Sequence, residues 1–198
     1  MIGNWLERNV KCPYLLFRGL TLWGHAHAYL ERHNRGTVKL SVKDHIVICE
    51  YTAIADELIQ SLHENEELRD NKVVIVSGIV EHNPYPEHDF VSGVPINPAV
   101  LKRASIEHAS YVFVFANQRF SDPDVKTLHI ASRVLKLNTK ARVFVELVTP
   151  DSIDLLEHVP SRLVVMNSRE LIRAVLRDKK IDPSQFGLKG TPAEEQES

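Results

Sequence analysis

Five short apolar runs rich in β-branched and aromatic residues punctuate this sequence, and helix-like stretches separate several of them. They are HIVIC (His45 to Cys49), KVVIV (Lys72 to Val76), YVFVF (Tyr111 to Phe115), RVFVEL (Arg142 to Leu147) and Leu163 to Val165. A strand that is apolar at every position, not every second one, is buried on both faces, which is the signature of a parallel sheet covered by helices. The intervening segments supply the crossovers. Ile54, Leu58, Ile59 and Leu62 recur at helical spacing and predict a helix over Ile54 to Leu68. Val100 and Leu101 mark a short helix within Pro98 to Ala104, and Asp122-Pro123 places a cap and a first-turn proline before a helix to about Leu137. A short helix is expected near Asp151 to Leu156, and Phe90-Val91 marks a sixth strand after a Pro- and Gly-rich loop, Ser77 to His88.

Strand and helix in alternation imply an α/β domain: a Rossmann-like, doubly wound parallel sheet of about six strands with helices on both faces. The domain is expected over residues 41–182, with an N-terminal appendage over 1–40 and a flexible polar tail over 183–198. Asn167-Ser168-Arg169-Glu170 reads as a capping box that opens a last helix, Ser168 to Leu176. Its apolar stripe, Leu171, Ile172, Val175 and Leu176, suits a dimer contact. In the appendage, Trp5, Leu6, Tyr14 to Phe17, Leu20, Leu22 and Trp23 are too apolar for a disordered leader, and packing or an oligomer contact is expected. No apolar run reaches the length of a membrane-spanning helix, because Arg18, His25 and His27 interrupt the nearest approach. A formal charge of −2 leaves no basic field for nucleic acid. Two cysteines, Cys12 and Cys49, give no disulfide framework.

In such a sheet ligands bind beyond the carboxyl ends of the strands. The rule selects Glu50, Tyr51, Thr52 and Ala53 after the first strand, Ser77 and Gly78 after the second, and Asn97, Asn117 and Glu146 after later ones. A dinucleotide fingerprint needs glycines in the first turn, so that backbone N–H groups approach the pyrophosphate. Here Glu50 and Thr52 stand at the two leading glycine positions and Ala55 at the third. Ser77 stands where an acid would hold the ribose. Side chains are expected to crowd the phosphate position, and a Glu50 carboxylate facing the helix N-terminus would repel it. Both changes argue against NAD, while another nucleotide stays compatible with the cleft.

The stretches DHIVICEYTAIADELIQSL, KVVIVSG and GVPINPAVLKRASIEHASYVFVFANQRFSDPD, in that order, resemble the RCK (regulator of potassium conductance) family, also called the TrkA N-terminal or KTN domain. The segment Gly93 to Asp124 is similar to the first RCK domain of large-conductance calcium-activated potassium channels. Glu31-Arg32 and Arg35-Gly36 resemble the linker from a pore helix to such a domain. The resemblance implies a cytoplasmic regulatory module, peripheral to the membrane through a pore subunit, that senses a small ligand. It also implies a homodimer formed through the last helices and an octameric gating ring beneath a potassium-conducting pore.

Metal sites and catalysis are not expected. Calcium takes six to eight oxygens, and beside Glu146 stand Leu147 and Val148, so a hydrogen-bonded carboxylate is the simpler reading. Asp122 and Asp124 are explained by a helix start. His25, His27 and His33 lack the companions zinc requires. No GxSxG, HExxH or Walker loop occurs, and the chain is not expected to be an enzyme. A NAD(P)-dependent oxidoreductase-like domain and a ligand-free assembly scaffold are the competing readings.

Overall fold

A computed structural model of the chain describes residues 13–166 apart from 67 and 157. The expected dimerisation helix, the tail and residues 1–12 of the appendage, with Trp5 and Leu6, lie outside the described residues. The elements run α1 (Pro13–Asn34), β1 (Ile46–Cys49), α2 (Ala53–Glu64), β2 (Val73–Ser77), β3 (Asp89–Ser92), α3 (Pro98–Arg103), β4 (Tyr111–Val114), α4 (Pro123–Leu137), β5 (Arg142–Glu146) and β6 (Leu163–Met166). Short 3-10 turns fill Ile106–His108 and Pro150–Leu155, the second standing where a short helix was expected.

All six strands are parallel and lie in the order β3-β2-β1-β4-β5-β6. The chain therefore builds outward from β1 to one side, then crosses back and builds outward from β4 to the other. One face carries Val47, Cys49, Val74, Val76, Val112 and Val114 against α3 and α4. The other carries Ile46, Ile48, Ile75 and Phe113 against Leu58, Ile59 and Leu62 of α2. Successive residues of β1 and β2 thus feed opposite cores, which is why those runs are apolar throughout.

Helix α2 ends at Glu64, short of the expected Leu68. Asn65 stops it: its N–H bonds Leu62 O and its side chain accepts from Leu68 N, so Leu68 reaches the core from a turn. At α4 the expected start is found, with Asp122 Oδ1 accepting from Val125 N at 3.1 Å. Asp124 does something else. Its buried carboxylate accepts from Val148 N, Thr149 N and the Ser152 hydroxyl at 2.7, 2.9 and 2.9 Å, pinning the loop after β5 to α4. In α1, Leu22, Trp23, Tyr29 and Leu30 are exposed, so these four apolar side chains do not pack on the domain.

His45 is fully buried before β1, with Nε2 3.0 Å from Ala104 O. Desolvation lowers its pKa below the ordinary 6.5, outweighing the backbone bond to Ala104 and the charges of Asp89 and Asp44, which raise it; His108 lowers it further. A histidine kept neutral by the fold takes up its proton more readily once unfolded. Its contribution is therefore full above about pH 6.5 and lost as the pH falls below it. The urea midpoint is expected to drop between about pH 7 and about pH 5. His45→Gln should flatten that slope.

Candidate functional site

The strand order reverses between β1 and β4, and connections leaving these two strands diverge, opening a crevice at their carboxyl ends. The turn after β1 shapes its floor. Glu50 takes a left-handed backbone, φ 67°, the conformation a glycine would adopt most readily. Its side chain does not stand in the crevice. It is buried, with Oε1 2.8 Å from Lys126 Nζ of α4 and Oε2 accepting from Asn117 Nδ2 at 3.2 Å. The Lys126 ammonium also lies over the Phe120 ring, 3.2 Å from its centre. The expected repulsion of a phosphate by Glu50 is thus largely offset by Lys126. Thr52 likewise folds back, its hydroxyl accepting from Ala55 N at 3.2 Å as the cap of α2.

The crevice holds about 710 Å³, and five of the sequence-selected residues line it: Tyr51, Thr52, Ala53, Asn117 and Glu146. The Glu146 carboxylate accepts from Ala116 N at 3.0 Å, and Asn117 Oδ1 from Arg119 N at 3.0 Å, so β4 and β5 are laced together at the rim. Glu50 lies beneath, held to Asn117. Ser77, Gly78 and Asn97 are not part of the lining. The Ser77 hydroxyl accepts from Ile79 N within its own loop, and Asn97 accepts from Ala99 N as the cap of α3.

Arg119, within the stretch 116–119 that the carboxyl-end rule selects after the fourth strand, lines the crevice too; Asp56, Ile79 and Val80 also line it and were not singled out from the sequence. Asp56 is a hub: Oδ1 accepts from both the Tyr51 and Tyr85 hydroxyls at 2.6 Å, and Oδ2 from Gln60 Nε2 at 3.0 Å. Burial, and then the bond to this carboxylate, push both phenols up, so they stay protonated donors. The wall thus combines one aromatic ring, Tyr51, the aliphatic Ile54, Ile79 and Val80, an exposed Arg119 and the N-terminal turn of α2. That mixture suits a ligand with a planar apolar part and an anionic part.

Residues 41–145, more than half of the chain, match the family model of the calcium-activated potassium channel slowpoke-like RCK domain. The potassium channel candidate YugO of Bacillus subtilis (strain 168) is 27% identical over 178 residues, 86% of this chain and 54% of its own length. The chain therefore spans about half the length of that relative. Among solved structures, the GsuK channel bound to NAD superposes on 73% of this chain and 25% of its own, with a TM-score of 0.55 at 18% identity. The TrkA-N domain of the inner membrane protein ybaL from Escherichia coli covers 69% and 97%, with a TM-score of 0.53 at 15% identity. Both likenesses speak to the fold. With the family model laid over the strands that carry the crevice, the chain belongs to the slowpoke-like RCK family, the regulatory domains of potassium-channel-like proteins.

Proposed function

We propose that this chain is a cytosolic, self-associating regulatory domain whose β1/β4 crevice takes a nucleotide and passes its occupancy to a potassium-conducting pore. The observation that carries the reading is the crevice itself. It sits at the reversal of strand order, and the α2 N-terminus and Arg119 offer anion-binding groups at its wall. The NAD complex of the GsuK channel supports a nucleotide in this fold. Ser77 offers no acid for the adenosine ribose that ADP, AMP and NAD share, so recognition here rests on the anionic part and the planar base. Regulation requires the ligand to bind one state of the assembly more tightly than another, since equal affinity shifts nothing.

A route outward starts at the end of α1. Gly36 O accepts from Ser92 N of β3 at 2.9 Å and from Arg103 Nη1 at 3.2 Å, while Arg103 Nη2 donates to Ser92 O. The helix preceding the domain is thus fastened to the edge of the sheet, as a linker to a pore would need to be.

Melting the chain with ADP, AMP, ATP, NAD(H), cyclic dinucleotides and calcium tests the reading. A nucleotide at ten times its dissociation constant adds about 1.4 kcal/mol and should raise Tm by about 4 °C. Arg119→Glu should weaken that nucleotide at least tenfold (about 1.4 kcal/mol), the loss of one charge-assisted contact. Silence across the panel would favour the ligand-free scaffold, and stabilisation by NAD(H) alone would favour the oxidoreductase-like reading.

A further inference from the structure

Away from the crevice, the connection between β2 and β3 ends against α2 in a group of rings. His63, in the last turn of α2, turns Nε2 toward Nε2 of His88, 2.7 Å away, with ring centres 4.7 Å apart. Tyr85 closes one side, 6.2 Å from the His63 ring and 5.9 Å from the His88 ring, centre to centre. Glu87 brings its carboxylate to the same place. One donor atom from each of His63, Glu87 and His88 lies within 4.8 Å of the others. His63 is half-buried, Glu87 exposed and His88 buried, so the cluster opens to solvent on the carboxylate side.

A hydrogen bond between two neutral rings would account for the nitrogens alone. It gives no role to the carboxylate converging on them. Two imidazole nitrogens and one carboxylate oxygen are instead the donor set of an open zinc site, with water as the fourth ligand. Calcium and magnesium take oxygen ligands and would leave both nitrogens unused. The loop presenting these donors is already shaped: His88 N donates to Tyr85 O at 2.9 Å, and Asn83 Nδ2 to His88 O at 2.6 Å. Burial first, and then the neighbouring His63, lower the His88 pKa, which favours the neutral ring a metal requires.

We propose that His63, Glu87 and His88 form a binding site for a zinc-class divalent transition metal. Bonds of about 2.0–2.1 Å at a tetrahedral angle set two nitrogens about 3.4 Å apart. Metal entry therefore widens the 2.7 Å pair by about 0.7 Å, a small ring movement. The ion fastens the end of α2 to the β2–β3 connection. Asn83 extends the connection, because its backbone N–H donates to Asn34 O, the last residue of α1, at 3.0 Å. A bound metal thus stiffens the seat of α1 without entering the crevice, and Tyr85, which bonds Asp56 of the crevice wall, stands between the two sites.

Competition between the metal-stripped chain and a chromophoric chelator for zinc measures the site, and cobalt(II) reports its geometry through visible bands. The chain is expected to take one zinc at this trio with micromolar or tighter affinity and to give the bands of four-coordinate cobalt. His63→Gln and Glu87→Gln should each weaken zinc at least tenfold, while His82→Gln, at an exposed histidine outside the trio, should not. Far-UV circular dichroism and metal-free melting establish that each variant is folded. No zinc binding by the parent chain, or undiminished zinc binding by folded His63→Gln, would overturn the proposal.

Discussion

Replacing Glu50 by alanine is expected to lower unfolding stability by about 3 kcal/mol, because it strands Lys126. The Glu50 side chain is 2% exposed and that of Lys126 12%, and they meet at 2.8 Å. Removing the carboxylate leaves a largely buried ammonium facing the Phe120 ring, and frees the Asn117 amide that donates to Oε2. Urea unfolding of the two chains measures the loss. Glu50→Gly sharpens the interpretation. It strands the same lysine but removes the cost of a left-handed backbone at a residue bearing a Cβ, about 1 kcal/mol. The glycine variant should therefore be the more stable of the two by about that amount. Equal losses would mean that the φ of 67° carries no strain, and no loss in either would mean that the ion pair contributes nothing net.

The second large effect is expected at the β3 edge of the sheet. Gly36 has φ 63°, and an added Cβ would strike the backbone nitrogen of Ser92 and stand 2.6 Å from Cδ1 of Phe90. Neither neighbour can yield, since one is main chain in β3 and the other a fully buried ring. Strain from φ and the collision together put the cost of Gly36→Ala at about 3 kcal/mol, or a fall in Tm of about 9 °C. Part of that energy is recoverable by letting α1 go. Amide exchange at Ser92, whose N–H is held by Gly36 O, should then accelerate more than exchange in β1. Gly24→Ala is the control: nothing lies within 4 Å of its would-be Cβ, and in an exposed helix alanine should stabilise by up to about 1 kcal/mol. A Gly36 variant as stable as the parent would show that the junction is loose.

The parallel sheet could be read from the chain because its strands are apolar at every residue, and the start of α4 because Asp122 and Pro123 act locally. The end of α2 could not, since Leu68 keeps the helical spacing while Asn65 turns the backbone, and both satisfy the same core. The crevice was half visible. The rule of carboxyl ends names every strand, yet the crevice opens at the reversal, so Tyr51 after β1, Asn117 after β4 and Glu146 at the end of the neighbouring β5 reach it, while Asn97, beyond the edge strand β3, does not. Glu50 was placed correctly but aimed wrongly, because Lys126 sits 76 positions away in the chain and no local pattern couples the two. Asp56 was not singled out, because Tyr85, which shares its carboxylate, lies 29 residues on in the chain. His63 and His88 stayed unlinked for the same reason, being 25 residues apart on different elements.

The fastening of Gly36 to Ser92 has a consequence for how copies of this molecule can meet. Strand β3 ends the sheet on one side, and an uncovered strand invites any passing chain to add to it. Near its carboxyl end that invitation is already taken: the Ser92 N–H is held by Gly36 and its carbonyl by Arg103. Growth of a continuous sheet from one molecule into the next is blocked there by the molecule's own leader. Loss of the Gly36 contact reopens this edge, and should show itself first as sticky, fibre-forming material at high concentration.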